Sequence, residues 1–262
     1  MTAVGRRTAV LVDAYPHVYG GAQRIDHLLA DGLRGAGWAV EVVVPDDGPF
    51  PARLRSAGLP VTVLPAPPPL RRYGRSTTGR HALRASLALP RWWWRVGRLL
   101  RDRRPDVVHV VDHRGLVLAG LPARASGARV VWQVHALDAG RALNRWGARL
   151  AHCTLVPTPS VVAKLPGLDR ARDLRAVTNV VPDALRVRPL APLATAPTIV
   201  ATARLHPDKG LDVLVDALAL VRQEVPEARV RVLGAAQLGH EEVGPALHAR
   251  AAQLGVADRL EL

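Results

Sequence analysis

Two cations flank a turn between a short apolar run and a helical pattern, and they are the most informative chemistry in the chain. Ile199 to Ala203 is too brief for a helix and β-branched at its start, whereas Leu211, Leu214, Val215, Leu218 and Val221 recur at three- and four-residue spacing. The turn between them contains Pro207, Asp208 and Gly210 and carries Arg204 and Lys209. The carboxyl end of a strand therefore meets a helix N-terminus with an Arg and a Lys beside it. Unpaired N–H groups and the helix dipole make such a junction suited to an anion. A plain strand–turn–helix with solvated basic residues has the same spacing, so spacing alone leaves both readings open.

Other stretches set polar or permissive residues at strand ends. His135 closes Val130-Val131-Trp132-Gln133-Val134-His135, at the edge where parallel α/β sheets place their ligands. His113 ends the neighbouring strand and can line the same cleft, with Asp138 a further neighbour. Gly20-Gly21 follows the first strand and opens a helix. A phosphate or sugar can approach such backbone closely, though a tight turn needs the same residues. Cys153, beside His152, falls at the start of a buried strand and does not read as a nucleophile.

The order Ala203-Arg204-Leu205, Lys209-Gly210-Leu211, then Leu214-x-x-Ala217-Leu218 resembles the donor-binding signature of retaining GT-B glycosyltransferases of glycosyltransferase family 4. The resemblance implies that Arg204 and Lys209 contact the phosphates of a sugar nucleotide. It implies that the Gly20-Gly21 loop, followed by Ala22-Gln23-Arg24, faces the donor phosphate or the acceptor, and that His135 lies near the transferred sugar. The implied activity moves a hexose from a nucleoside diphosphate sugar to a hydroxyl acceptor with retention and without a cofactor. No Asp-x-Asp pair is placed for a metal; two side-chain cations and a helix N-terminus would offset the charge on the leaving diphosphate.

These residues need a parallel α/β scaffold to present them. Thr8–Ala14 is expected as a buried strand, followed by a helix from about Ala22 with Ile25, Leu28, Leu29 and Leu33 as its apolar face, then a strand Ala39–Val44. That is a βαβ unit. A helix at Arg53–Leu59 and a strand at Val61–Leu64 follow. Further strands are expected at Asp106–Val111, Arg129–Val134, Thr154–Val156 and Ala176–Val181. Helices are expected between them at Leu116–Ser126, Leu143–Leu150 and Val161–Leu165, the last capped by Ser160.

Pro182, Pro189, Pro192 and Pro197 mark a linker. Beyond it come Thr198 onward, a strand Ala228–Leu233, a helix Glu241–Leu254 and a strand start at Arg259–Leu262. The expected architecture is α/β of the GT-B type, with two Rossmann-like domains of parallel sheet facing a cleft. Residues 1–181 form the acceptor-side domain, 182–197 the linker and 198–262 part of the donor-nucleotide domain. The resemblance implies a longer second domain, with a Glu, seven residues, Glu motif that this sequence lacks. A C-terminally truncated and impaired enzyme is therefore expected. The alternatives are an inactive binding or partner subunit derived from one, or a GT-B-fold nucleotide-sugar epimerase, which normally lacks the Arg-Leu…Lys-Gly-Leu order.

Charge and composition narrow the partners. The 262 residues carry a net charge of +14, unevenly: +16 over residues 1–190 and −2 over the remainder. The basic part attracts anionic lipid or phosphorylated ligands, consistent with a lipid-linked or phosphorylated acceptor. Residues 80–104 concentrate it, with Trp92-Trp93-Trp94 among eight arginines and the single acid Asp102. Pro90 is expected to start or kink a helix here. Arg91, Arg95 and Arg98 would form a cationic stripe, and Trp92, Val96, Leu99 and Leu100 an apolar one. A basic amphipathic helix bordered by tryptophan suits an anionic membrane surface. The same pattern also fits a helix packed on the sheet with its arginines solvated, but three consecutive tryptophans cannot all face one core. No nucleic-acid motif accompanies the patch, and no nucleic-acid partner is expected. One cysteine excludes an internal disulfide. With neither a secretory signal nor an apolar run of membrane-spanning length, the expected place is cytoplasmic, peripheral at the inner face of the plasma membrane.

Overall fold

The first strand, β1 (Thr8–Val12), is buried from Ala9 onward and is the third strand of a seven-stranded parallel sheet of order β3-β2-β1-β4-β5-β6-β7. This is a computed structural model, describing residues 6–71, 78–135, 140–181, 197–236 and 240–262. The chain divides into two compact units, Met1–Val181 and Pro182–Leu262. In the first, helix α1 (Gly21–Gly35) joins β1 to β2 (Ala39–Val44), and α2 (Pro49–Ser56) leads to β3 (Val61–Val63). A short α3 (Pro68–Arg71) and the long α4 (Gly79–Arg103) return the chain to β4 (Val107–Val111) on the other side of β1. Next come α5 (Asp112–Gly115), a π-helical turn (Leu116–Gly120) and α6 (Leu121–Ala125). Then β5 (Arg129–Gln133), α7 (Arg141–Leu150), β6 (Cys153–Val156), α8 (Pro159–Lys164) and β7 (Leu174–Ala176) complete the sheet. The strand order reverses between β1 and β4. At that switch point the connections leave in opposite directions and open a crevice outside the carboxyl ends.

Both faces of this sheet are covered, which is why its strands are runs of valine rather than alternations. Leu11, Val42, Val44, Phe50 and Leu54 fill one side under α1 and α2. Val10, Val108, Val110, Val130 and Trp132 fill the other against α4, α6 and α7. Trp132 is fully buried, a burial worth about 2–3 kcal/mol. Gly147 on α7 makes room for it: a Cβ there would stand 2.6 Å from the indole.

Several boundaries differ from the sequence expectation. α4 begins at Gly79 and runs through Pro90. The proline therefore neither starts the helix nor ends it, although its ring removes one backbone donor. α2 begins at Pro49, whose fixed φ suits a first helical turn. α8 begins at Pro159 after Thr158, so Ser160 lies inside the helix, its hydroxyl 2.8 Å from that of Thr158. β7 ends at Ala176 instead of running to Val181. The deepest residues of α1 are Gln23, Asp26 and Ala30, while Ile25 and Leu28 are only half-buried.

The second unit has a parallel sheet of order β10-β9-β8, from β8 (Thr198–Thr202), β9 (Arg229–Leu233) and β10 (Leu260–Glu261), connected by α9 (Leu211–Glu224) and α10 (Val243–Gln253). Val230, Val232 and Leu260 pack beneath Val215, Leu218 and Leu247. On the opposite face Val200 and Leu233 are 56% and 51% exposed, and Arg231 pairs with Glu261 at 2.7 Å.

Candidate functional site

At the carboxyl edge of the first sheet the chain leaves β1 and β4 through two buried aspartates. Asp13 directly follows β1 and is 1% exposed. Its Oδ1 accepts from the Tyr15 N–H at 2.5 Å and its Oδ2 from Gln23 Nε2 at 3.1 Å. Gln23 in turn accepts from the Gly20 N–H at 3.3 Å, half of a capping box that ties the Gly20-Gly21 loop to Asp13. A Cβ added to Gly21 would meet nothing within 4 Å. The space beside this backbone is therefore open to a ligand rather than used for packing.

Asp26, 2% exposed on α1, faces Asp13. As a carboxylate it would find no donor for either oxygen among the described residues; as a carboxylic acid it donates to Asp13. Burial and the neighbouring charge both push its pKa well above the ordinary carboxylate range. Burial also raises Asp13, opposed by its hydrogen bonds to Tyr15, Asp26 and Gln23. The pair thus shares one proton, held on Asp26, and one charge, held on Asp13.

His135 lies two residues past β5. Its N–H donates to Asp112 Oδ1 at 2.6 Å, and the Asp112 carbonyl accepts from Trp132 Nε1 at 3.1 Å. Asp112 holds this position with φ at +54°, a left-handed conformation that Asp tolerates better than most residues. Burial lowers the pKa of His135, partly offset by the charges of Asp112 and Asp13. Its Nε2 is buried without a hydrogen-bond partner among the described residues. A neutral imidazole therefore keeps one ring nitrogen able to take a further hydrogen bond. His113 does not share this role in the fold: its Nε2 meets Asn144 Oδ1 at 2.7 Å and its ring packs edge-on against Trp132, fastening α5 to α7. Asp138 lies outside the described residues.

Sequence reasoning passed over Asp13, Asp26 and His109, and named Gln23 only as a residue following the Gly20-Gly21 loop. His109, 4% exposed in the middle of β4, is pushed by burial to a pKa of about 4, against a bond with Gln133 that raises it. Arg114 is a cation at this edge. It donates to the carbonyls of Leu70 and Arg71 at 3.1 and 2.6 Å and lies 5.4 Å from the Tyr15 ring centroid. Cys153 is not activated: burial raises its thiol, and His152 Nδ1 is occupied by the Val130 N–H.

In the second unit, Arg204 leaves β8 two residues past its end, on the exposed side of the chain. Leu205 pins the turn by donating its N–H to the Ala235 carbonyl at 3.0 Å. Pro207–Lys209 forms one 3-10 turn, and Gly210 enters α9 at φ +62°, where a side chain would be strained. No side chain caps α9, so its first N–H groups face outward. Lys209 Nζ lies 3.7 Å from Asp208 Oδ2 and His206 Nδ1 2.6 Å from Asp208 Oδ1. The Asp208 N–H donates to that nitrogen at 3.2 Å, so the His206 ring closes over the start of the turn. Slight desolvation would raise the Asp208 pKa, but Lys209, His206 and Arg204 outweigh it and hold the group below its ordinary value. The turn is therefore a cationic surface already attractive to a carboxylate. The His206 ring sits 4.1 Å from that of His240.

Residues 20–182 match the glycosyl transferase 4-like domain. The chain belongs to that family. No curated protein matches it in sequence. Among solved structures, this glycosyl transferase 4-like chain is similar to Anabaena Alr3699/HepE, determined with UDP and glucose, with a TM-score of 0.73 and 19% identity over 98% of this chain and 68% of that one. It is also similar to a glycosyltransferase from Rickettsia africae (TM-score 0.71, 14% identity, 98% and 68% covered). A third similar structure is the sucrose-phosphate synthase from Thermosynechococcus elongatus (TM-score 0.70, 16% identity, 97% and 69% covered). The shared feature is the fold: α/β, of the GT-B type, with parallel sheets in both units.

Proposed function

We propose that this protein transfers a hexose from a nucleoside diphosphate sugar to a hydroxyl acceptor with retention at the anomeric carbon. The second unit is the donor-nucleotide side and the first the acceptor side. The observation that carries the reading is the Arg204–Gly210 turn: two exposed cations and an uncapped helix N-terminus in one turn, in a chain of the glycosyl transferase 4-like family. Arg204, Lys209 and the first N–H groups of α9 hold the diphosphate and offset the negative charge that grows on it as the sugar leaves, without a cofactor. UDP and UDP-glucose are bound by the structural neighbour HepE, which makes a uridine nucleotide the first donor to test.

In the first unit, His135 directs its unused Nε2 to a sugar hydroxyl or ring oxygen. Asp112 fixes the backbone from which it projects, and Gly20 and Gly21 let the substrate approach the start of α1. The acceptor, lipid-linked or phosphorylated, meets Arg114 at the same edge.

The test is incubation with UDP- and GDP-hexoses while NMR follows the released sugar. Release of the hexose with its donor anomeric configuration supports the reading, and the inverted anomer contradicts retention. Inversion at C2 would instead identify an epimerase, and neither turnover nor nucleotide binding would overturn the donor site. His135→Ala is expected to lower turnover by roughly 10²-fold while nucleotide affinity stays unchanged.

A further inference from the structure

The outward face of α4 is not the stripe of an ordinary solvated helix. Arg80, Arg84, Arg91, Arg98 and Arg101 lie along it, and all are exposed. Set among them at helical spacing are Leu83, Leu87 and Trp94, 61%, 72% and 58% exposed. The inward face is separate: Ala85, Trp92, Val96 and Leu100 are buried. Trp92 and Trp93 donate their indole N–H groups to the carbonyls of Leu118 and Val117, both at 2.9 Å. Arg95 is likewise tied down, donating to the Pro65 carbonyl at 2.7 Å. Of the residues first suspected of membrane contact, Trp92, Trp93 and Arg95 therefore serve the fold, whereas Trp94, Arg91 and Arg98 face outward. Leu83 and Leu87 join them.

The place of this stripe matters. α4 has 25 residues, about 37 Å of helix, on strands of about 17 Å. Its C-terminus delivers the chain to the start of β4, and Arg95 already bonds Pro65, just beyond β3. The turns before Arg95 thus project past the carboxyl edge that carries Asp13, Asp112 and His135. Shallow grooves of about 380 and 290 Å³ flank Trp94, the larger floored by Pro90, Trp93 and Leu121 and closed by Arg101.

We propose that the outward stripe of α4 docks on an anionic bilayer surface. Leu83, Leu87 and Trp94 would enter the interfacial layer while the arginines reach lipid phosphates from the same face. The charge decides among occupants. None of the five arginines forms an ion pair among the described residues, and a second copy of this stripe would set arginine against arginine. A nucleic acid would use the arginines but leave the two leucines exposed. Among the described residues no helix is long and apolar enough to cross a membrane, so the contact is peripheral. The inference stands apart from the transferase reading, since its test uses vesicles and no donor.

The experiment is co-sedimentation of the whole protein with phosphatidylcholine vesicles, with and without about one-third phosphatidylglycerol, at low and high salt. Binding is expected to the anionic vesicles only and to weaken with salt. Leu83→Ser/Leu87→Ser/Trp94→Ser, at exposed positions and with an unchanged circular dichroism spectrum, should bind at least tenfold more weakly. Arg84→Gln/Arg91→Gln should lose about fivefold per arginine. Absence of binding to anionic vesicles at low salt would overturn the proposal. So would full binding by the serine variant together with equal affinity for RNA, which would make the stripe a general polyanion surface. Self-association abolished by the serine variant, without vesicle binding, would assign the stripe to a second copy and overturn it as well.

Discussion

The β1–α1 and β8–α9 junctions have the same plan, a parallel strand turning into a helix N-terminus, and opposite electrostatics. At the first, Asp13 and Asp26 are 1% and 2% exposed, and the Gly20 N–H is already engaged by Gln23. At the second, Arg204 and Lys209 are exposed and the helix is uncapped. An anion gains at the second junction and meets a buried negative charge at the first. The contrast supports the proposed placement of the donor diphosphate at the second junction, and of hydroxyl groups rather than phosphate beside Asp13. Net charge follows neither junction: of the +16 of residues 1–190, α4 alone carries +6, seven arginines against Asp102.

The largest effect expected from breaking this contrast is structural. Asp13→Ala leaves the Tyr15 N–H, Gln23 and the Asp26 proton without their acceptor. It should destabilise the first unit by about 3–4 kcal/mol in urea unfolding. Arg204→Ala, at an exposed position, should leave unfolding unchanged within about 0.5 kcal/mol.

Next come two pH effects of opposite sign. His109 has a folded pKa of about 4, below its ordinary 6.5. Between those values only the unfolded chain takes the proton, so stability falls as pH drops through the window, by about 3 kcal/mol in all. His109→Gln should flatten that fall in unfolding measured from pH 7 to 4. Asp26 has a folded pKa above its ordinary 3.8. Its contribution is complete below 3.8 and is lost as pH rises through the raised folded value. Asp26→Asn, which copies the protonated form, should remove the loss. A steeper loss in that variant would contradict the shared proton.

A smaller effect belongs to the glycines. Gly21→Ala meets open space at the first turn of α1, so stability should hold or rise by up to about 1 kcal/mol. If the loop receives substrate, turnover should fall nevertheless. Unchanged turnover would assign Gly21 to the helix alone.

Much of the fold is legible in the sequence because burial on both faces writes strands as short valine runs and helices as leucine periods. Boundaries failed where local signals misled. Pro90 reads as the start of a helix or a kink in one, and the packing of Trp92, Val96 and Leu100 below it, with Ala85 above, excludes the start by holding one helix through it. The candidate site was legible in part. His135 and the Arg204–Lys209 turn stand at strand ends, where position is informative. Asp13 and Asp26 were missed because the first closes an apolar run and the second interrupts an apolar helix face. Gln23, Asp26 and Ala30, at spacings of three and four, in fact mark the deepest line of α1. His109 was hidden among four valines, its burial set by neighbouring strands that are distant in sequence.

The central claim is that the β8–α9 turn holds a sugar nucleotide by its phosphates. Calorimetric titration of UDP and UDP-glucose into the wild-type protein and into Arg204→Ala/Lys209→Ala tests it most directly. The account predicts binding by the wild type, weakened by salt, and a loss of roughly 100-fold or more in the double variant at unchanged unfolding. Equal affinity in the two proteins, or no nucleotide binding by the folded wild type, would contradict it.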